Sequence, residues 1–67
     1  MKQISLAAAR VNAGLTQEQL AKKLGVTRKS VQNWELGRSN IRKANFIAFC
    51  YVTGFDEDDI FLPVGNP

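Results

Sequence analysis

Apolar residues recur three and four positions apart along this chain, and glycine interrupts the pattern at short intervals. Gly14, Gly25, Gly37 and Gly54, followed by Pro63, divide it into five short helical pieces. Ser5 is placed to cap a first helix running through Arg10 to Ala13, with Gly14 supplying the left-handed residue that ends it. Thr16 caps the second helix, and Gln19, three residues on, completes a capping box. Leu20, Ala21 and Leu24 then point inward, Gln17, Lys22 and Lys23 outward, and Gly25 stops the helix. Thr27 caps the third. At about 100° per residue, Thr27, Val31 and Trp34 share one face and Arg28, Lys29, Gln32 and Asn33 the other.

After a polar loop at 37–40, residues 41–53 are apolar almost all round (Phe46, Ile47, Ala48, Phe49, Cys50, Tyr51, Val52). That pattern predicts a fourth helix through the middle of the fold. Asp56 is placed to cap a last short helix with Asp59 in its first turn. Beyond it, Ile60, Phe61 and Leu62 either close the core or project as an apolar patch. No alternating run of four residues lies between turn signals, so the prediction is one all-α domain, 1–67, of five short helices.

The link between the second and third helices carries the most information. Two helices joined by about three residues cross steeply only when the link turns sharply. Gly25 accepts the positive φ that a Cβ resists, and the small Ala21 lets the helices approach. Leu20, Leu24, Val26, Val31 and Trp34 fall where they seal the pair against a third helix. This spacing predicts a helix-turn-helix over 17–36.

Charge sharpens the picture. Residues 1–55 hold all nine Lys and Arg and two acids, a net +7, while the other four acids cluster at Asp56, Glu57, Asp58 and Asp59. A basic body of this size suits a polyanionic partner. The absence of histidine removes Cys/His catalysis and Cys₂His₂ zinc binding, and the single Cys50 allows no internal disulfide. Cys50 itself reads as a small core hydrophobe in the fourth helix. The acidic run lacks the glycine and distal glutamate of a calcium loop, so no metal and no cofactor is expected. Arg10 cuts the early apolar stretch short of a signal peptide, and no segment approaches a membrane span. A reduced, cytoplasmic setting is the expectation.

The stretch Gly14-Leu15-Thr16-Gln17-Glu18-Gln19-Leu20-Ala21-Lys22-Lys23-Leu24-Gly25-Val26-Thr27, with Trp34-Glu35-Leu36-Gly37-Arg38-Ser39 after it, resembles the Cro/repressor helix-turn-helix family, also called lambda-repressor-like or Xre-type. The resemblance covers about residues 4–62. It implies five helices, the third entering the major groove of DNA, and the brevity of the chain, with Asp58-Asp59-Ile60-Phe61-Leu62-Pro63 near its end, looks most like small phage or prophage regulators. It also implies an Arg10–Glu35 pair joining the first helix to the third. Two positions depart from the family pattern: Leu36 stands where Asn is frequent, and Ile41 near where Pro is frequent.

On this reading Arg28, Lys29 and Gln32 contact bases, because Arg and Lys donate to guanine and Gln pairs with adenine in two bonds. Gln17 and Thr16, at the start of the second helix, contact phosphate; Thr16 has capping as its other role. Thr27 and Ser30 flank the reading face and serve either as backbone contacts or as cap and packing, and Asn33 lies at its phosphate edge. Arg38, Ser39, Asn40, Arg42 and Lys43 form a second polar strip that clamps phosphates. Trp34 belongs to the core. The function expected is a transcription regulator, a repressor, binding a short palindromic operator as a homodimer. A protein-interaction module, an antitoxin or adaptor using the Phe61-Leu62 end, is the second class; an enzyme is not expected.

Overall fold

A computed structural model describes residues 2–63. Four α-helices follow one another, α1 (Leu6–Asn12), α2 (Gln17–Leu24), α3 (Arg28–Leu36) and α4 (Lys43–Thr53), and a single 3-10 turn spans Glu57–Asp59. Local chemistry sets most of these boundaries. Ser5 Oγ accepts from Ala8 N at 3.0 Å, and Thr27 Oγ1 from Ser30 N at 3.1 Å. Thr16 and Gln19 close a reciprocal box, with Gln19 N donating to Thr16 Oγ1 at 3.0 Å and Thr16 N to Gln19 Oε1 at 2.9 Å. Each satisfies a backbone group that a helix start otherwise leaves open.

Two expectations about element type and extent are corrected. The fifth helix is one 3-10 turn, because Ile60 is already extended and bridged to the remote Ile4; Asp59 Oδ2 accepts from Asp56 N at 3.0 Å at its start. The fourth helix starts at Lys43, with Arg42 in the β region and Ile41 packing against the core from extended chain.

The core joins Leu6 and Ala9 of α1, Leu20 and Ala21 of α2, Val31 and Trp34 of α3, Phe46 and Phe49 of α4, and Ile60. α2 and α3 pack most extensively against each other. Contrary to the sequence pattern, α4 does not run through the middle. It buries Phe46 and Phe49 on one face and leaves Ile47 50% and Tyr51 90% exposed on another. A chain this small has too few neighbouring elements to cover an apolar helix on every side.

The C-terminal apolar trio divides. Ile60 is buried, Leu62 leans on the core and Phe61 is 46% exposed. Ile60 is carried inward by an isolated parallel bridge to Ile4, with Ile4 N donating to Asp59 O and Phe61 N to Ile4 O, both at 2.9 Å. That bridge ties the segment before α1 to the segment after the 3-10 turn.

Candidate nucleic-acid interface

The turn between α2 and α3 fixes how the two helices present their polar faces. Gly25 closes α2 with φ +71°, and no atom lies within 4 Å of where its Cβ would be, so conformation alone selects glycine there. Val26 N reaches back to Ala21 O at 3.0 Å, while the Val26 side chain packs against the core. Thr27 then starts α3, its exposed Oγ1 accepting the cap bond from Ser30 N and lying 3.0 Å from Ser30 Oγ.

The first turn of α3 emerges from this corner bearing exposed Arg28 and Lys29, with Gln32 half-buried one turn on. Val31 and Trp34 anchor the opposite side. Asn33 is half-buried, and its carbonyl accepts from Arg38 N at 2.9 Å and Ser39 N at 3.5 Å. The end of α3 thereby holds the loop on which Arg38, Ser39 and Asn40 lie exposed. Leu36 also faces solvent, 56% exposed on the same helix.

Thr16 and Gln17 stand at the start of α2, where an open hollow of about 530 Å³ is lined by Arg10, Thr16, Gln17, Glu18 and Arg28. The structure thus brings the head of α2 and the head of α3 to one concave surface. Arg42 and Lys43 are exposed at the start of α4. Lys43 turns toward the acidic end, its Nζ donating to Glu57 Oε1 at 3.1 Å. Both partners are open to solvent, so the pair contributes at most about 1 kcal/mol. Among the described residues, Arg10 and Lys43 are the cations that pair with a carboxylate.

Beneath this surface lies a denser polar cluster. Arg10 Nε donates to Glu35 Oε2 at 2.6 Å and Nη2 to Glu35 Oε1 at 3.3 Å, the two-pronged pairing that a guanidinium and a carboxylate favour. Arg10 Nη1 also donates to Leu15 O at 2.9 Å. Gln17 Nε2 joins them, donating to Glu35 Oε1 at 2.9 Å. The sequence offers no signal for this Gln17–Glu35 bond, since the two residues sit on different helices at no recurring spacing.

Cys50 lies half-buried in α4, near the acidic end. Burial, and after it the charges of Glu57, Asp56 and Asp59, push its thiol pKa above the usual value. Among the described residues no group of His, Cys, Asp or Glu is arranged to hold a metal ion, and no helix is long and apolar enough to cross a membrane.

Two short helices at a glycine corner, the second with a basic outer face, define a helix-turn-helix protein. The helix-turn-helix family model matches residues 6–60, and the chain belongs to that family, of the Cro/repressor or Xre type. It is a DNA-binding transcription regulator whose partner is double-stranded DNA. No curated protein matches the chain.

Proposed function

We propose that the chain is a repressor that inserts α3 into the major groove of a short palindromic operator. The observation that carries this reading is the exposed head of α3, where Arg28 and Lys29 form no ion pair among the described residues and Gln32 follows one turn later. Arg28 and Lys29 read guanine O6 and N7, and Gln32 reads adenine. Thr16, Gln17, Thr27, Ser30, Asn33, Arg38, Ser39, Asn40, Arg42 and Lys43 contact the sugar-phosphate backbone and set the register. Lys43 gives up only a weak exposed pair to do so. Occupying a promoter site is enough to exclude another protein from it, which is why repression is favoured.

Single alanine substitutions at Arg28, Lys29 and Gln32 are expected to cost about 1–3 kcal/mol each on a site selected from random duplexes, and to relax preference at one base position each. Arg38→Ala is expected to weaken selected and random duplexes alike and to reduce the salt slope by about one. Unchanged sequence preference in all three α3 variants would refute groove reading by this helix.

One α3 spans only a few base pairs, so recognition calls for two copies on half-sites about 34 Å apart. The molecule's extents of 29 × 26 × 19 Å suit that spacing. With Ile60 buried, the apolar trio offered for self-association narrows, among the described residues, to Phe61 and part of Leu62. That is far below the roughly 1,000 Å² of a stable interface, so pairing occurs on DNA rather than in free solution. Sedimentation with a labelled duplex carrying the inverted repeat is expected to give two copies per duplex. Saturation at one copy would rule out the dimeric reading.

A further inference from the structure

Gln17, proposed above as a phosphate contact, is not a freely waving side chain. It is the first residue of α2, half-buried, and its amide nitrogen is held 2.9 Å from Glu35 Oε1. Glu35 is fixed in turn by Arg10, whose guanidinium bonds both carboxylate oxygens and the Leu15 carbonyl. The side chains of Arg10 and Glu35 are only 14% and 8% exposed, so water competes little for these bonds.

The chemistry of the amide gives this arrangement a consequence. A glutamine Nε2 carries two hydrogens, and the bond to Glu35 uses one. The other is left to donate, from a side chain whose rotamer freedom has been spent on folding rather than on binding. Arg10 also offsets the Glu35 charge, which would otherwise repel a nearby phosphate. Arg28 lines the same hollow as Gln17, so the held amide sits beside the proposed base-reading face.

We propose that Glu35, braced by Arg10, is a positioning residue for DNA binding, holding the Gln17 amide ready to donate its second N–H to a backbone phosphate. The inference rests on the phosphate role given to Gln17 above. A merely structural Glu35 would lower the melting temperature but leave its effect on affinity independent of the residue at 17.

The test is a double-mutant cycle on the selected duplex, at fixed salt and at a temperature where circular dichroism shows every variant folded. Gln17→Ala and Glu35→Ala are each expected to weaken binding about fivefold, the worth of one ordinary hydrogen bond. The double variant is expected to lose about the same fivefold rather than the product of the two. In the DNA-free protein, the Gln17 side-chain amide resonances should move to random-coil positions in Glu35→Ala. If that variant does not fold, Glu35→Asp keeps a charge opposite Arg10 while shortening the reach to Gln17. Losses that multiply in the double variant would overturn the positioning role while leaving the phosphate contact standing. A Gln17→Ala protein that binds as tightly as wild type would overturn both.

Discussion

Replacing Trp34 with alanine is expected to remove about 3–5 kcal/mol of folding stability, the usual cost of deleting a buried aromatic. Trp34 is 7% exposed and belongs to the core formed with Leu6, Val31 and Phe46. It also lines a half-open groove of about 240 Å³ with Leu6, Ile41 and Leu62, so its loss would carry that groove into the core. At roughly 0.05–0.15 kcal/mol per residue, a chain of this length has little stability to spare. Trp34→Ala is therefore expected to be largely unfolded at body temperature, and Trp34→Phe to melt between it and wild type. Thermal and urea unfolding followed by circular dichroism decide the matter. A Trp34→Ala protein that melts normally but no longer binds DNA would instead make Trp34 a contact residue.

Breaking the Arg10–Glu35 pair ranks second. Arg10→Met is expected to cost about 3 kcal/mol, because removing one member strands the other charge where solvent barely reaches it. Glu35 would keep only the Gln17 amide for company. Adding Glu35→Leu to Arg10→Met is expected to recover most of that stability, since an apolar pair of similar bulk carries no desolvation cost. Affinity for DNA is not expected to return with it, because Gln17 then has nothing to hold it. Lys43→Ala provides the contrast: the exposed Lys43–Glu57 pair predicts a change within about 1 kcal/mol. A loss below about 1 kcal/mol for Arg10→Met would put the inner pair in that same weak class.

The Arg10–Glu35 pair also separates two kinds of sequence evidence. Nothing in the charge pattern joins positions 10 and 35; the family resemblance implied their meeting, and the structure supplies it at 2.6 Å. The caps were legible from the residues alone. Ser5, Thr16 with Gln19, and Thr27 act on backbone groups three positions away, so their effect does not depend on the rest of the fold. The same holds for Gly25, whose positive φ answers a local demand for a residue without a Cβ, with no remote atom crowding the position.

The exposure of Arg28 and Lys29 opposite Val31 and Trp34 follows from helical period, because the two strongest hydrophobes on α3 leave one orientation for it. For α4 that logic failed. Apolar on nearly every side, it carries no stripe to say which face turns inward, and only its contacts with α1, α2 and the 3-10 turn choose Phe46 and Phe49 over Ile47 and Tyr51. The sequence by itself thus determined the first three helices and their caps, the turn at Gly25 and the polar outer face of α3, all consequences of interactions within about one helical turn. Only the tertiary structure decided the Ile4–Ile60 bridge, the shortening of the last helix to one turn, the reach of Lys43 to Glu57 and the hold of Glu35 on Gln17. Each of these depends on where remote segments come to rest, and that is settled by how the whole core packs rather than by any local pattern.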